Sequence, residues 1–170
     1  MLIEMAIKGL MIDQVTSTPI IVLRDKDATK VLEIWVGVFE ANAIALQIEN
    51  ISTPRPMTHD LVTDMLGELG AEVVRITVTE LKENTFYASI TVQQNGSEIE
   101  IDSRPSDAIA LAVRAEAPIF AAEDVIEESA IEFEGEDVDQ EVLDAEVAKF
   151  RHFLDEVTPE DFAVENGDDE

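Results

Sequence analysis

The stretch IDSRPSDAIALAVR, residues 101–114, decides the fold because it contains a change from strand to helix. Acidic and apolar side chains alternate from Glu98 to Asp102, which is the period of a β-strand with one solvent-facing side. Every side chain from Ala108 to Val113 is apolar, so the following helix is predicted to be buried nearly all round. The chain therefore passes from a half-exposed strand directly into a buried helix.

The junction between this strand and this helix carries several polar groups. Pro105 suits the first helical position, and Ser106 and Asp107 place hydrogen-bond acceptors and negative charge at the positive end of the helix dipole. Arg104 has no role in starting a helix, and it stands between Asp102 and Asp107. Two interpretations stay open: the polar groups are caps and a local ion pair, or they form a functional site at the helix mouth.

Composition restricts the class of protein. A chain of 170 residues can form one domain with a sizeable core and an appendage. It contains no cysteine, which excludes disulfides, thiolate metal sites and a thiol nucleophile. The N-terminal residues include Glu4 and Lys8 and do not resemble a signal peptide, and no apolar run reaches the length of a membrane span. We therefore expect a cytoplasmic protein without membrane contact.

The formal net charge is −27, and it is unevenly distributed. Residues 1–120 have a net charge of −9, whereas residues 121–170 have a net charge of −18. Such a charge repels nucleic acid at long range. A polyanionic substrate would consequently require divalent cations, high salt or a local basic patch.

Hydrophobic periodicity and turn residues predict alternating blocks of strands and helices. In chain order the predicted strands cover residues 9–16, 19–23, 31–36, 72–81, 85–93, 97–102 and 119–121. The predicted helices cover residues 40–49, 58–70, the stretch that begins at 105, and 139–157. The last of these carries a short apolar heptad stripe in a charged segment, which is typical of a helix that docks on its own domain.

Two parts of the chain are similar to each other. Residues 42–46, NAIAL, align with residues 107–111, DAIAL, at a shift of 65 positions, and the strands before them align without a gap. The predicted fold class is therefore α+β, with duplicated β3α units forming an antiparallel or mixed sheet on which the helices pack. We expect a domain over residues 1–128 and an acidic helical extension with a disordered tail over residues 129–170.

Several segments together resemble the bifunctional nuclease family, whose members carry a BFN domain and act on DNA and RNA. The segments are IWVG (34–37), FEA (39–41), AIAL (43–46), RP (55–56), THDL (58–61), TFYA (85–88), IDSRPSDAIAL (101–111) and PI (118–119). The resemblance implies a duplicated α+β fold, a homo-oligomer of two or more subunits, and a nuclease helped by a divalent cation. It supplies no active-site signature, so the residue roles must follow from chemistry.

Phosphodiester cleavage requires an activated water, neutralisation of phosphate charge and often a metal held by carboxylates. The candidates for catalysis in the matching segments are Glu40, His59, Asp60 and Asp107. The carboxylates suited to binding Mg²⁺ or Mn²⁺ are Glu40, Asp102 and Asp107. The candidates for holding the DNA or RNA substrate are Arg55, Arg104 and Ser106.

Each assignment has a structural alternative. His59 is the candidate general base because imidazole titrates near neutrality, but in the first turn of a helix it could equally be a hydrogen-bonded surface residue. Glu40 and Asp107 could interact only with helix dipoles, and Trp35 is predicted to pack in the core or in an interface. For the whole protein the alternative is a non-catalytic oligomeric binding or assembly module, which the acidic charge favours.

Overall fold

The computed structural model describes residues 1–27, 29–132 and 152, and within them one sheet of eight strands carries four helices. The strands are β1 (Leu2–Ile12), β2 (Pro19–Asp25), β3 (Lys30–Trp35), β4 (Ala71–Lys82), β5 (Thr85–Gln94), β6 (Ser97–Ser103), β7 (Ile119–Ala122) and β8 (Ile131–Glu132). The helices are α1 (Val38–Ile48), α2 (Thr58–Glu68), α3 (Pro105–Ala115) and α4 (Glu123–Ser129).

The sheet is mixed, with the strand order β6-β5-β4-β7-β1-β2-β3-β8. Neighbouring strands are antiparallel except β4 and β7, which are parallel. β7 joins the two halves of the sheet, because its Ile119 is paired with Met5 of β1 on one side and with Ile76 of β4 on the other. This architecture confirms the predicted α+β class.

Three strands followed by a helix occur twice in the chain, first as β1 to β3 with α1 and then as β4 to β6 with α3. The two helices begin at different points of the 65-residue alignment. The N-cap of α1 is Gly37 and that of α3 is Arg104, so α1 starts two residues earlier relative to the aligned NAIAL and DAIAL runs. That the two halves arose by duplication stays a prediction.

The helices α1 and α3 contribute the helical part of the core, as their apolar sequences predict. Ile44 of α1 and Ile109 of α3 are fully buried, and most of α3 from Pro105 to Ala112 is buried. Small side chains at Ala108, Ala110 and Ala112 bring the α3 backbone close to its neighbours. In contrast, α2 has no fully buried residue; it lies against α3 and covers one side of it.

The first strand differs from its prediction. It covers Leu2–Ile12 rather than residues 9–16, because the chain turns at Asp13. The Asp13 carboxylate accepts hydrogen bonds from the backbone N–H groups of Val15 (2.8 Å) and Thr16 (3.2 Å), which is the geometry of an Asx turn and ends the strand. The short elements α4 and β8 were not predicted.

The predicted helix over residues 139–157 lies outside the described residues, and so does nearly all of the predicted extension over 129–170. The domain boundary at 128 therefore stays a prediction. In the part of the chain that the structure describes, no helix is long and apolar enough to cross a membrane.

The burial of α3 predicts a contrast between two isoleucines. We expect Ile109→Ala to lower the free energy of unfolding by about 2–5 kcal/mol, because it leaves a cavity in a fully buried site. Ile99→Ala removes the same atoms from the edge strand β6, where the side chain is 46% exposed, and should cost about 1 kcal/mol or less. Urea titration of both variants measures the difference; equal losses would contradict the placement of α3 in the core.

Candidate active site at a three-helix junction

Each of the helices α1, α2 and α3 carries a carboxylate at its third residue. The residues are Glu40, Asp60 and Asp107, counted from the N-caps Gly37, Met57 and Arg104. A negative charge in the first turn is favourable because the N-terminal N–H groups carry partial positive charge. The three acids therefore have a local reason to occupy these positions, independent of any function.

Arg104 joins two of these carboxylates. Its Nε donates to Asp107 Oδ2 at 2.7 Å, and its Nη2 donates to Glu40 Oε1 at 2.8 Å. The side chain is nevertheless 65% exposed. Among the described residues no carboxylate binds Nη1, so the guanidinium keeps donors that face solvent.

His59 of α2 continues the chain of contacts, since its Nε2 lies 2.8 Å from Asp107 Oδ1. A neutral imidazole can donate to a carboxylate only from the nitrogen that carries the proton. Nε2 is then the protonated nitrogen, and Nδ1 is the acceptor. The His59 side chain is 13% exposed. The side chains Glu40, Arg104, Asp107 and His59 are thus bonded in that order across α1, α3 and α2. We call these four residues the junction network.

Charge stabilises the ionised state of this network. Burial tends to raise the pKa of Asp107, but the hydrogen bonds from Arg104 and His59 outweigh burial and hold that pKa below its ordinary value of 3.8. The hydrogen bonds to Asp107 and Glu40 raise the pKa of Arg104 further. Arg104 therefore compensates the charge of one of the two carboxylates that it binds.

A glycine allows Glu40 to reach Arg104. A side chain at Gly37 would place its Cβ against Glu40 Oε2, so the carboxylate folds back over the start of α1 only because position 37 has no Cβ. Gly37 and Arg104 line the same cleft. The Glu40 carboxylate is therefore held between two cleft-lining residues.

A second arginine, Arg114, has a buried side chain and forms hydrogen bonds to all three helices. Its side chain is only 6% exposed, and it donates to Asp60 Oδ1 (2.6 Å), to the Ala110 carbonyl (2.8 Å) and to the Ala43 carbonyl (3.0 Å). Asp60 Oδ2 also accepts the backbone N–H of Met57 at 2.8 Å. Burial tends to raise the pKa of Asp60, but the bonds from Met57 and Arg114 lower it overall. Asp60 is thus occupied by structural partners.

Two clefts open on either side of the junction. The first has a volume of about 550 Å³ and contains Arg104, Ser106, Gly37 and Trp35 in its lining. The second has a volume of about 450 Å³ and is lined by residues that include Arg55, Asp60 and Arg114. The predicted substrate-binding residues are consequently divided: Arg104 and Ser106 share one cleft, and Arg55 lies in the other.

The predicted metal ligands do not come together. Asp102 projects from the edge strand β6 and is exposed, and no described residue bonds it to Glu40 or Asp107. Glu40 and Asp107 both bind Arg104 instead of facing a common cation site. Among residues 1–27, 29–132 and 152, no three His, Asp or Glu side chains are placed to hold a metal ion. The residues present do not fit a preformed Mg²⁺ or Mn²⁺ site, and metal dependence stays a prediction.

Three residues of the site region were not among the predicted functional residues: Arg114, Gly37 and Trp35. The sequence does mark Arg114, because it is a single cation at the end of an apolar helix and a buried arginine requires partners. Gly37 and Trp35 had no such signal. Of the two predicted environments of Trp35, the core is wrong, since 52% of the side chain is exposed, and the interface stays a prediction.

Comparison with known proteins gives a consistent family. The bifunctional nuclease domain model matches residues 21–134, a range that contains the whole junction network. An uncharacterized protein of Mycobacterium tuberculosis is 36% identical over 162 residues, covering 94% of this chain and 97% of that protein. Bifunctional nuclease 1 of Arabidopsis thaliana is 34% identical over 106 residues, covering 59% of this chain and 32% of that protein. Bifunctional nuclease 1 of Oryza sativa subsp. japonica is 33% identical over 104 residues, covering 58% of this chain and 31% of that protein.

The lowered pKa of Asp107 predicts a pH-dependent stability. Because its folded pKa lies below 3.8, the ionised carboxylate contributes stability above pH 3.8, and this contribution is lost as the pH falls through the folded pKa. We expect Asp107→Asn to lower the free energy of unfolding at neutral pH by about 1–2 kcal/mol, because it loses charge-assisted hydrogen bonds. The difference from wild type should shrink as the pH falls below about 4.

Asp102→Asn is the matched control, because Asp102 is an exposed carboxylate only five positions away. It should change the free energy of unfolding by no more than about 0.5 kcal/mol at any pH. Chemical denaturation at several pH values measures both variants. The role of Asp107 in the junction network would be contradicted if the free energy of unfolding of Asp107→Asn stayed equally far below that of wild type in acid. It would also be contradicted if Asp102→Asn lowered the free energy of unfolding as much as Asp107→Asn does.

Proposed function

The chain belongs to the bifunctional nuclease domain family, and on that basis we propose that it hydrolyses phosphodiester bonds in DNA and RNA. The observation that carries the proposal is the state of Arg104: Glu40 and Asp107 bind its Nη2 and Nε, no described carboxylate binds its Nη1, and the side chain is 65% exposed at a cleft. A guanidinium held in this way is preorganised for phosphate oxygens, which it can bind without releasing either carboxylate. The plant relatives are named as nucleases, which agrees with this chemistry.

Glu40 is the group best placed to accept a proton. Its Oε1 is bound by Arg104, whereas Oε2 stands over Gly37 and takes no hydrogen bond from the described residues. A phosphate on Arg104 Nη1 would lie beside this carboxylate. Glu40 would take a proton from a water molecule as the water oxygen attacks phosphorus, the phosphorus–oxygen bond of the leaving group breaks, and the departing oxygen takes a proton from solvent.

His59 acts as a positioning residue in this scheme. Its Nε2 is used to hold Asp107, which in turn holds Arg104. The role of His59 as general base stays a prediction, but the bond from its Nε2 to Asp107 favours the indirect role. Asp60 likewise supports the site through Arg114.

Assistance by Mg²⁺ or Mn²⁺ remains part of the proposal as an expectation from the family resemblance. No step is assigned to a cation, because the predicted ligands Glu40, Asp102 and Asp107 are not arranged around a common point. A cation could nevertheless reduce the repulsion between a chain of net charge −27 and a polyanion. The activity assay is therefore run with Mg²⁺, with Mn²⁺ and with a chelator.

A second candidate function is a non-catalytic homo-oligomeric assembly module. It is favoured by the acidic charge and by α2, where Leu61, Met65 and Leu69 form an exposed apolar stripe at a spacing of four residues. This alternative expects no cleavage of any nucleic acid by the wild-type chain. The same assay therefore distinguishes the two functions.

The test compares two amide variants on single-stranded DNA and RNA. Glu40→Gln keeps an oxygen for Arg104 but cannot accept a proton, so we expect kcat to fall about 100-fold or more while KM does not rise. His59→Gln keeps a side-chain N–H that can reach Asp107, so we expect a fall of about 10-fold or less and an unchanged pH profile. Thermal unfolding of both variants confirms that they remain folded.

Contaminating nucleases are controlled by purifying Glu40→Gln in parallel with wild type. A wild-type rate in Glu40→Gln would show that the carboxylate is not the proton acceptor. A 100-fold loss in His59→Gln together with the loss of the acidic limb of the pH profile would return that role to His59. No cleavage by wild type under any cation condition would favour the assembly module.

A further inference from the structure

Trp35 lies on the face of β3 that is turned away from the core. Its neighbours Ile34 and Val36 are buried, and strand alternation directs Trp35 to the opposite face, where 52% of its side chain is exposed. An indole is among the largest apolar groups, and leaving half of it in water forgoes a substantial part of its burial energy. Half of the only tryptophan of the chain is therefore accessible to a ligand.

The exposed ring borders the cleft that contains Arg104. Trp35, Phe86 and Arg104 line the same space of about 550 Å³, which lies in the range of cavities that bind small organic ligands. An aromatic face and an available guanidinium in one cleft are the two groups that a nucleotide requires, the first for its base and the second for its phosphate.

The orientation of the ring is fixed in advance. Trp35 Nε1 donates to Asp13 Oδ2 at 3.3 Å, and the other oxygen of Asp13 is held by the backbone N–H groups of Val15 and Thr16. The bonds from Val15, Thr16 and Trp35 lower the pKa of Asp13, so the acceptor stays ionised at neutral pH. Fixing one edge of the indole reduces the entropy lost when a partner contacts its face.

We infer that Trp35 is a stacking platform for an unpaired base of the nucleic acid whose phosphate binds Arg104. The inference rests on the proposed function and extends it to the substrate form. In a duplex the bases are paired and stacked on one another, so only a single strand or a loop can offer an unpaired base to the ring. Stacking also supplies affinity that does not depend on positive charge, which this acidic chain lacks.

The single tryptophan gives a direct test by intrinsic fluorescence of the full-length chain. The probes are an oligothymidylate, an abasic strand of the same length and charge, and a blunt-ended duplex, all phosphorothioate-linked to resist cleavage and used at low ionic strength. We expect saturable quenching by oligothymidylate. The abasic strand has the same phosphates but no base, and it should leave the fluorescence unchanged, as should the duplex.

Substitution separates stacking from folding. By anisotropy of a labelled oligothymidylate, Trp35→Leu should weaken binding about 5- to 150-fold, the range that the loss of one stacked base gives. Trp35→Phe keeps an aromatic face and should lose less affinity for oligothymidylate than Trp35→Leu. Tyr87→Leu is the matched control, because Tyr87 is also an exposed aromatic residue of the sheet but lies outside the cleft lining. The Tyr87→Leu variant should bind oligothymidylate with the affinity of wild type.

The outcomes distinguish this inference from the proposal on which it rests. Binding of oligothymidylate without a fluorescence change, or with equal affinity in Trp35→Leu, overturns the stacking role and leaves the proposed nuclease standing. Equal quenching by the abasic strand also overturns it. Absence of binding to every strand overturns the nucleic-acid proposal and this inference together.

Discussion

The binding of one guanidinium by two carboxylates from different helices is the interaction on which the site depends. Glu40 at the start of α1 and Asp107 at the start of α3 both hold Arg104, and without that cation two negative charges would face each other at the junction. His59 and Arg114 attach α2 to the same place through Asp107 and Asp60. Helix α3 is consequently the centre of the assembly, since both arginines belong to it. A helix that contributes most of its surface to the core thus also carries the polar groups that fix its neighbours.

The same interaction limits the chemistry that the site can perform. The junction network contains two carboxylates and only one arginine, and the chain as a whole has a net charge of −27, so Coulomb repulsion opposes phosphate binding. What remains is a preorganised donor on Arg104 that faces solvent, a carboxylate beside it, and an exposed indole in the same cleft. Selectivity would then depend on geometry and stacking more than on charge. This combination is consistent with a nuclease that acts on accessible, unpaired segments.

Much of the fold could be predicted because its signals are local. The alternation before Arg104 and the apolar run after it gave β6 and α3 within a residue or two, and hairpin turns such as Asn95-Gly96 marked the strands around them. The end of β1 was missed because it is decided by the Asp13 side chain capping a turn rather than by hydrophobic pattern. The site was harder, because Glu40 and Arg104 are 64 residues apart and meet only through the order of strands in the sheet. Asp102 is predicted as a metal ligand because it lies in the same segment as Asp107, but it belongs to the edge strand β6, in which nearly every residue is exposed.

The most direct test of the central claim is the rate of single-strand cleavage by Arg104→Ala, measured with and without added guanidinium ion at concentrations too low to unfold the protein. Loss of a preorganised charged donor should slow cleavage by about 10²- to 10³-fold. Because the Arg104 side chain is largely exposed, free guanidinium should enter the vacated position between Glu40 and Asp107 and restore part of the rate in a saturable manner. Cleavage by folded Arg104→Ala at the wild-type rate would contradict the account, since the phosphate would then be bound elsewhere.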